Sequence, residues 1–599
     1  MYYSSGNFEA FARPKKPEGI DNKKAWIVGG GLAGMAAAGF LVRDAQMPGS
    51  NITILEASNV DGGALDGAGN ELTGWLLRGG REMEDHFECL WDLFRSVPSL
   101  EVDGSILDEF YWLNKEDPNF SYNRTTSKHG KLGGVDHNFT LGKHGQADLL
   151  KLVMARHEDL YDKKINEVVS KQFFKSNFWL YWRTMFAFEE WHSALELKLY
   201  VQRYIHHIAG LADFSSLKFT RYNQYESLVL PLKKWLIDCG VVFQNDTKVV
   251  DVQFNISKDV KQAEKLTWIR GGAEATIDLT ANDLVFVTNG SLVENSTWGD
   301  HHTPPVFDAE IHEGGSWALW RNIAKQDPSF GDPNNFCTSP EETYWESATI
   351  TVKDQRIRDY IERISQRATN TGHTVTGGIV TATDSNWLLS WTINRQGQFT
   401  NQPDDQTVVW FYGLLGDEVG NFVKKPLREC TGEEITQEWL WHLGVPEAEI
   451  GELAQEENVI TRPCMMPFIT AFFMPRNGTD RPKVVPEGVT NFAFLGQFVE
   501  TSRDTVFTTE YSVRTAMEGV YQLADVDRGV PEVFASVYDV RQLLKSTHFL
   551  RDGKELKLPR FIAKFVEGNE AGVLLAQYGV VPNVGDVPEP DNAVSPTGP

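Results

Sequence analysis

The apolar run Trp26-Ile27-Val28 stops at Gly29-Gly30-Gly31-Leu32-Ala33-Gly34 and resumes as Met35-Ala36-Ala37-Ala38-Gly39-Phe40-Leu41-Val42. That order predicts a short buried strand, a glycine turn and a helix. A second apolar run, Ile52-Thr53-Ile54-Leu55, predicts another strand and ends in Glu56. Strand-like runs recur at Val241-Val242-Phe243, at Lys248-Val249-Val250, at Asp283 to Thr288 before Asn289-Gly290, and at Phe492 to Leu495 before Gly496-Gln497. The last of these precedes a predicted helix from Thr508 to Leu523. A dense aromatic stretch of helical character, Phe173-Phe174, Phe178 to Trp182, Met185-Phe186, Phe188 and Trp191, lies between the early and middle strands. It reads as core, and equally as the wall of an apolar tunnel. Ala25 to Val42 is long and uncharged, but its glycine turn makes it a strand-turn-helix unit rather than a membrane span.

The glycine spacing carries chemistry. Gly29 permits the tight turn, Gly31 lets backbone approach a pyrophosphate, and Gly34 lets the helix pack on the strand. Leu32 and Ala33 then place backbone N–H groups at the helix N-terminus, where phosphate is favoured. Glu56 stands near the spacing at which an acid accepts from the adenosine ribose hydroxyls. Asp61-Gly62-Gly63-Ala64 follows it, and an acid before paired glycines favours FAD over NAD. These runs resemble segments of the glutathione-reductase-like class, which implies that Val249 meets adenine through its backbone and that Thr288 ends a strand beside the dinucleotide. Thr505 and Thr508 fall where a helix N-terminus meets the flavin. The loop Arg78-Gly79-Gly80-Arg81-Glu82-Met83-Glu84 holds two glycines and four charges. Gly80 lets main chain pass close to a planar cofactor while Glu82 turns to substrate. The alternative is a solvated charged turn.

These segments lie far apart, so the expected fold is α/β: a discontinuous Rossmann-like FAD domain of the glutathione-reductase type with an inserted substrate domain and a helical C-terminal region. The expected boundaries are 1–90 (first FAD segment with an N-terminal arm), 91–220 (largely helical), 221–300 (second FAD segment), 301–485 (substrate-binding), 486–530 (third FAD segment) and 531–599 (helical, with a disordered tail from Pro588). At 599 residues, 41% hydrophobic and 12% aromatic, the chain has ample core for several domains. A formal net charge of -25 rules against nucleic acid. Yet Arg541 to Lys564 carries seven Lys or Arg against two acids, interleaved with Leu543, Leu544, Phe549, Leu550, Phe561 and Phe565. That mixture suits an anionic membrane surface, or an ordinary docking segment with a basic face. The N-terminus has no apolar signal core, and five scattered cysteines imply free thiols in a reducing, cytoplasmic setting. Histidine pairs His206-His207 and His301-His302 show no third zinc ligand by spacing, so no metal is expected.

Longer strings identify a relationship. Tyr2 to Asn7 with Glu9 to Pro14, Arg78 to Glu84 with His86-Phe87-Glu88-Cys89, Asp108 to Trp112, Ser176 to Trp179, Met185 to Phe188 and Asn223-Gln224-Tyr225 resemble the oleate hydratases. These are FAD-binding fatty-acid double-bond hydratases, once called myosin-cross-reactive antigens. The resemblance covers nearly the whole chain. It implies a hydro-lyase that adds water to the cis-9 double bond of oleate, giving 10-hydroxystearate. It implies FAD in a non-redox role, most effective as FADH2, and a homodimer; the basic C-terminal segment is what suggests a peripheral position on the inner face of the cell membrane. By position it implies Glu82 as the water-activating carboxylate, Tyr200 as proton donor and Gln224 as an amide near the double bond. Thr392 and Asn394 are implied to hold the substrate carboxylate, with Arg81 also on substrate, and Gln398 stands where some members have histidine. The competing readings are a flavin-dependent redox enzyme on a lipid and a non-catalytic FAD- or lipid-binding protein.

Overall fold

The computed structural model describes residues 12–65, 67–133, 138–376, 378–502, 504–555 and 570–581. The strings Tyr2 to Asn7 and Glu9 to Phe11, the basic residues Lys557, Arg560 and Lys564, and the tail from Pro588 lie outside them. Five parallel strands form the first sheet, in the order Phe492–Leu495, Asp283–Thr288, Lys24–Val28, Ile52–Leu55, Val242–Gln244. Near-continuous apolar strands are what a parallel sheet covered on both faces demands. Helix Leu32–Arg43 packs on this sheet with every residue from Leu32 to Leu41 buried. Its small residues permit the close approach: a Cβ on Gly34 would sit 2.0 Å from the Gly29 carbonyl oxygen. Helix Thr509–Leu523 lies against it, and Thr508 caps that helix by accepting the Tyr511 N–H at 3.1 Å. The strands at residues 26, 52, 283 and 492 and the helix after Thr508 therefore stand where the hydrophobic pattern placed them.

One segment departs from that pattern. Only Val242–Gln244 joins the parallel sheet, whereas Val249 lies on Thr247–Ile256, which pairs antiparallel with Lys261–Arg270 and through it with Ala273–Asp278. Asp246 takes a left-handed conformation, φ 54°, and turns the chain off the sheet. Alternating apolar residues do not report such a turn.

The second sheet has eight strands: Thr297–Trp298, Val459–Met466, Trp345–Val352, Thr407–Gly413, Leu389–Thr392, Val380–Ala382, Arg124–Ser127 and Lys131–Leu132. All its pairings are antiparallel except Val380–Ala382 with Arg124–Ser127. The segment 91–220 thus contributes two strands to it as well as helices Asn177–Phe186 and Ala194–Tyr204. Side chains alternate between faces with period two. Ala348, Ile350, Val352, Val409 and Phe411 meet helices Gln355–Ser365 and Gly432–Leu443 through Ile357, Ile361, Trp439 and Leu440. Trp345, Val408, Trp410 and Tyr412 face the other way, into an aromatic cluster with Trp75 and Phe399. No disulfide joins any of the five cysteines. No helix among the described residues is long and apolar enough to cross a membrane.

Glu346 shares the parity of Ala348 and Ile350, so it lies on the helix-covered apolar face. It is fully buried, and neither carboxylate oxygen has a hydrogen-bond partner. Burial pushes its carboxyl well above the ordinary 4.5. A raised acid lets the fold keep a proton that the unfolded chain releases, so stability falls as pH rises above 4.5 toward the folded value. Glu346→Met should therefore raise the melting temperature, with a gain that is smallest near pH 4 and grows toward pH 8. Calorimetry across that range checks it; a gain that shrinks with rising pH would contradict the assignment.

Candidate active site

A cleft of about 900 Å³ opens at the C-terminal ends of the parallel strands, the usual ligand position in such sheets. Gly29, Gly31, Leu32, Ala33, Glu56, Ala64, Val249, Thr288 and Thr508 line it. Two helix N-termini, at Leu32 and Thr509, turn free N–H groups and positive dipole ends toward it. Gly34 stands behind the cleft as the helix-to-strand contact, and Thr505 is buried and, unlike Thr508, does not line the cleft. Glu56 spans the entrance to the glycine turn: one carboxylate oxygen accepts the Gly30 N–H at 2.7 Å and the other the Ser58 N–H at 2.8 Å. The narrow glycine lining and the paired helix ends fit a dinucleotide pyrophosphate.

The loop Arg78 to Glu84 separates this cleft from a second, apolar cavity of about 140 Å³. Helix Asn177–Phe186 supplies Trp182, Met185 and Phe186 to its wall, and the eight-stranded sheet supplies Trp345 and Trp410. Arg78, Arg81, Phe507 and Thr508 line both spaces. Met83 pairs with Lys218 through two backbone hydrogen bonds of 2.9 Å, so the loop is extended there. Glu82, Met83 and Glu84 all line the cavity, and Met83 and Glu84 are buried. Gly80 belongs to the cavity rather than the cleft: a Cβ there would lie 2.9 Å from Glu82 Oε1 and 3.3 Å from the Trp410 ring. Arg81 holds a left-handed backbone, φ 64°, and its guanidinium donates to the Ala64 carbonyl.

The two carboxylates differ. Burial raises the Glu82 pKa, with its own backbone N–H and the Arg81 charge only partly offsetting that. Burial also pushes Glu84 up, but Arg203 and then His207 outweigh it and hold Glu84 well below the carboxylate range. Glu84 Oε2 meets His206 Nε2 at 3.0 Å and His207 Nε2 at 2.7 Å, and Oε1 lies 2.9 Å from Arg203 Nη1. Burial pushes His206 down to about 4, aided by His207. Arg203 continues to Asp504 at 3.1 Å, Asp504 to Arg514 at 3.1 Å, and Arg514 to Glu510 at 2.8 Å. This buried network was not foreseen from spacing, because Glu84, Arg203 and Asp504 are far apart in sequence. Donor atoms of Glu84, His206 and His207 lie within 4.8 Å of one another. Arg203 on the same carboxylate already supplies the balancing charge there, which counts against a cation.

The other expected substrate residues divide. Gln224 and Asn394 come together at a small polar recess that shares Gly80, Arg81 and Gln224 with the apolar cavity. Asn394 Nδ2 donates to the Gly80 carbonyl at 2.7 Å and Gln224 Nε2 to the Arg81 carbonyl at 3.4 Å, so both amides tether the loop itself. Thr392 is turned away from the recess: its Oγ1 lies 3.0 Å from Thr376 Oγ1 inside the sheet. Tyr200 is fully buried among Phe186, Phe188 and Phe473, and its hydroxyl donates to the Val506 carbonyl at 2.6 Å. One helical turn on, Tyr204 lines the cavity. Burial raises both phenols above the ordinary 10.0.

Residues 22–521 match the model of the MCRA family. The chain belongs to the MCRA family. It is 52% identical over 560 residues to an oleate hydratase of Streptococcus pyogenes serotype M49 (strain NZ131), covering 93% of this chain and 94% of that protein. It is 29% identical over 577 residues to a linoleate hydratase of Lactiplantibacillus plantarum, covering 89% and 97% respectively. Among solved structures, cyclohexylamine oxidase from Brevibacterium oxydans IH-35A superposes with a TM-score of 0.50 at 12% identity, over 84% of this chain and 99% of that one. That likeness is one of fold. The span of the MCRA match includes all five parallel strands, both cavities and the Arg78 to Glu84 loop, and stops before helix Val540–Leu550.

In this MCRA chain the raised Glu82 carboxyl has a consequence for stability. Below 4.5 the group is protonated both folded and unfolded; above it, the fold retains a proton that the unfolded chain gives up. Glu82→Gln should therefore melt higher than the unaltered protein at pH 7 and equally at pH 4. Paired thermal melts at the two values check this, and a lower melting temperature at pH 7 would show that Glu82 is stabilised by a partner instead.

Proposed function

We propose that this chain is a fatty-acid double-bond hydratase that holds FAD in the glycine cleft and adds water to the cis-9 double bond of oleate, giving 10-hydroxystearate. The relatives named above supply the substrate class. The observation that carries the reading is the position of Glu82: a buried carboxylate on the wall of an apolar cavity, on a loop whose reverse side borders a dinucleotide cleft. An apolar cavity can hold an alkene beside a carboxylate with bulk water excluded.

Hydration moves no net electrons. One alkene carbon takes a proton from a hydroxyl donor, water attacks the other carbon, and Glu82 accepts the proton that the attacking water loses. A carboxyl whose pKa burial raises is a stronger base than an ordinary one, and its charge favours the developing cation in a medium of low dielectric. The pyrophosphate of FAD would meet Gly29, Gly31 and the Leu32 and Ala33 amides, with Glu56 near the ribose, Val249 near adenine, and Thr288 and Thr508 toward the flavin. When bound, FAD would supply electrostatic support to the loop from the cleft side, best in the reduced state. Asn394 and Gln224 hold the loop's main chain on the other side.

Tyr200 is our candidate donor by resemblance, its hydroxyl parked on Val506 in a segment that borders both spaces. Tyr204 is the second reading, because its side chain lines the cavity directly. The FAD-loaded protein should convert oleate in oxygen-18 water to singly labelled 10-hydroxystearate with the flavin redox state unchanged. A product lighter by two hydrogens, with bleached flavin, would make it a redox enzyme instead. Glu82→Gln should lower kcat by about 10²–10⁴-fold. Tyr200→Phe should do the same and Tyr204→Phe should not; the reverse pattern assigns donation to Tyr204.

We further propose that the C-terminal helix meets an anionic membrane. Helix Val540–Leu550 docks through Ser546, whose hydroxyl donates to the Ile205 carbonyl at 2.6 Å, and leaves Val540 and Phe549 exposed near Arg541 and Lys545. Truncation after Asp539 should abolish flotation with vesicles containing phosphatidylglycerol. Equal flotation of both forms would leave the helix a docking element only.

A further inference from the structure

Hydration passes through positive charge on an alkene carbon, and this inference rests on the hydratase reading. When a proton reaches C9, the π electron pair enters the new C–H bond. C10 is then electron-poor until a water oxygen bonds to it and that water gives its proton to Glu82. Such a carbon has no lone pair and no polar hydrogen, so in a cavity that excludes bulk water it depends on negative potential from the walls. Glu82 supplies some, but the Arg81 charge offsets part of it. Arg78 and Arg81 also line the cavity as cations, and Glu84 is committed to Arg203, His206 and His207.

The eight-stranded sheet brings a second source. Strands Trp345–Val352 and Thr407–Gly413 place the ring centroids of Trp410 and Tyr412 4.6 Å apart, those of Trp345 and Tyr412 5.4 Å apart, and those of Trp345 and Trp410 6.2 Å apart. The first two pairs are tilted by 27° and 13°, so the π faces share a direction and their quadrupoles add on one side. Trp345 and Trp410 both line the cavity. A buried indole ordinarily finds an acceptor for its N–H, whereas Nε1 of each of these two is buried with no hydrogen-bond partner. Their polar edges anchor nothing, which leaves the rings as what the site uses. The rings also stand at the carboxylate: the place a Cβ on Gly80 would take is 2.9 Å from Glu82 Oε1 and 3.3 Å from Cε3 and Cζ3 of Trp410. Burial raises the Tyr412 phenol above 10.0, a Ser390 hydrogen bond offsets part of that, and the Glu82 charge adds to it. The Tyr412 hydroxyl donates to the Thr184 carbonyl at 2.6 Å, so the ring is neutral and fixed.

We propose that Trp410, backed by Trp345 and Tyr412, forms a cation–π wall that stabilises the positive charge at C10. A second carboxylate in that place would bond to the cation, whereas a ring face stabilises it and then releases it to water.

The test uses 10-azastearate, whose secondary amine is protonated at pH 7 and stands at C10, on the FAD-loaded full chain. Stearate and 15-azastearate are the controls; calorimetry gives dissociation constants, and kcat on oleate is measured alongside. Unaltered protein should bind 10-azastearate at least about tenfold tighter than either control. Site-specific replacement of Trp410 by 5-fluoro-, 5,7-difluoro- and tetrafluorotryptophan drains the ring quadrupole at nearly constant size. The amine preference and kcat should both fall stepwise along that series, by about tenfold to thirtyfold at its end, with stearate binding within about twofold. Trp410→Leu should reach the same floor, and Glu82→Gln should leave the fluorine dependence of amine binding in place. No fluorine dependence, or a loss that stearate shares equally, overturns the proposal. If Trp410→Leu does not melt cooperatively, the fluorinated series decides. A stepwise loss of amine preference in a protein that makes no 10-hydroxystearate would fault the hydratase reading and leave the wall standing.

Discussion

The removal of carboxylates from water is the constraint around which the site is built. Glu82 and Glu84 lie two residues apart on one extended segment and face the same cavity, yet their environments drive them in opposite directions. Glu84 is met by Arg203, His206 and His207 and remains a stable anion. Glu82 receives less compensation, so its charged form stays high in energy and reactive toward a proton. Two acids set apart by their surroundings are a recurrent means of dividing structural from chemical labour. The division here depends on Arg203, because a guanidinium used for Glu84 is not available to Glu82.

That constraint explains why the loop is tied from so many directions. Backbone pairing at Met83, amide donors from Asn394 and Gln224, and the left-handed turn at Arg81 each fix a different peptide. The eight-stranded sheet brings Asn394 to the loop from the end of Leu389–Thr392, while the parallel sheet opens its cleft on the reverse side. The two sheets therefore meet functionally at one short segment. The charge chain through Asp504, Arg514 and Glu510 extends the same support to the N-terminus of helix Thr509–Leu523, which borders the cleft.

Much of the fold was legible because its signals are local. A strand ending in Gly29-Gly30-Gly31, a second ending in Glu56 and an apolar run at Phe492 each carry their own pattern, and the parallel sheet follows from their order. Gly34 could be read because a residue with no Cβ is needed wherever a helix touches a glycine turn. What could not be read were contacts made across the fold. Nothing near Asn394 says that its amide will hold the Gly80 carbonyl, 314 positions away. Resemblance named it as a substrate residue, and geometry gives it the loop. Val249 reads as one more buried strand residue, because hydrophobicity records that a residue is buried and not which sheet buries it. Thr392 was close in sequence to the recess but, being on a strand, has its direction set by parity.

The strand order of the parallel sheet also bears on synthesis. Strand Asp283–Thr288 has its outer partner, Phe492–Leu495, roughly 200 residues further along, and at about 5–20 residues per second that partner leaves the ribosome ~10–40 s later. During that interval an apolar strand sits at an open sheet edge, the arrangement most prone to pairing with another chain. The eight-stranded sheet is completed in the same window. The last parallel strand to be synthesised, Phe492–Leu495, is therefore the one that closes that exposed edge.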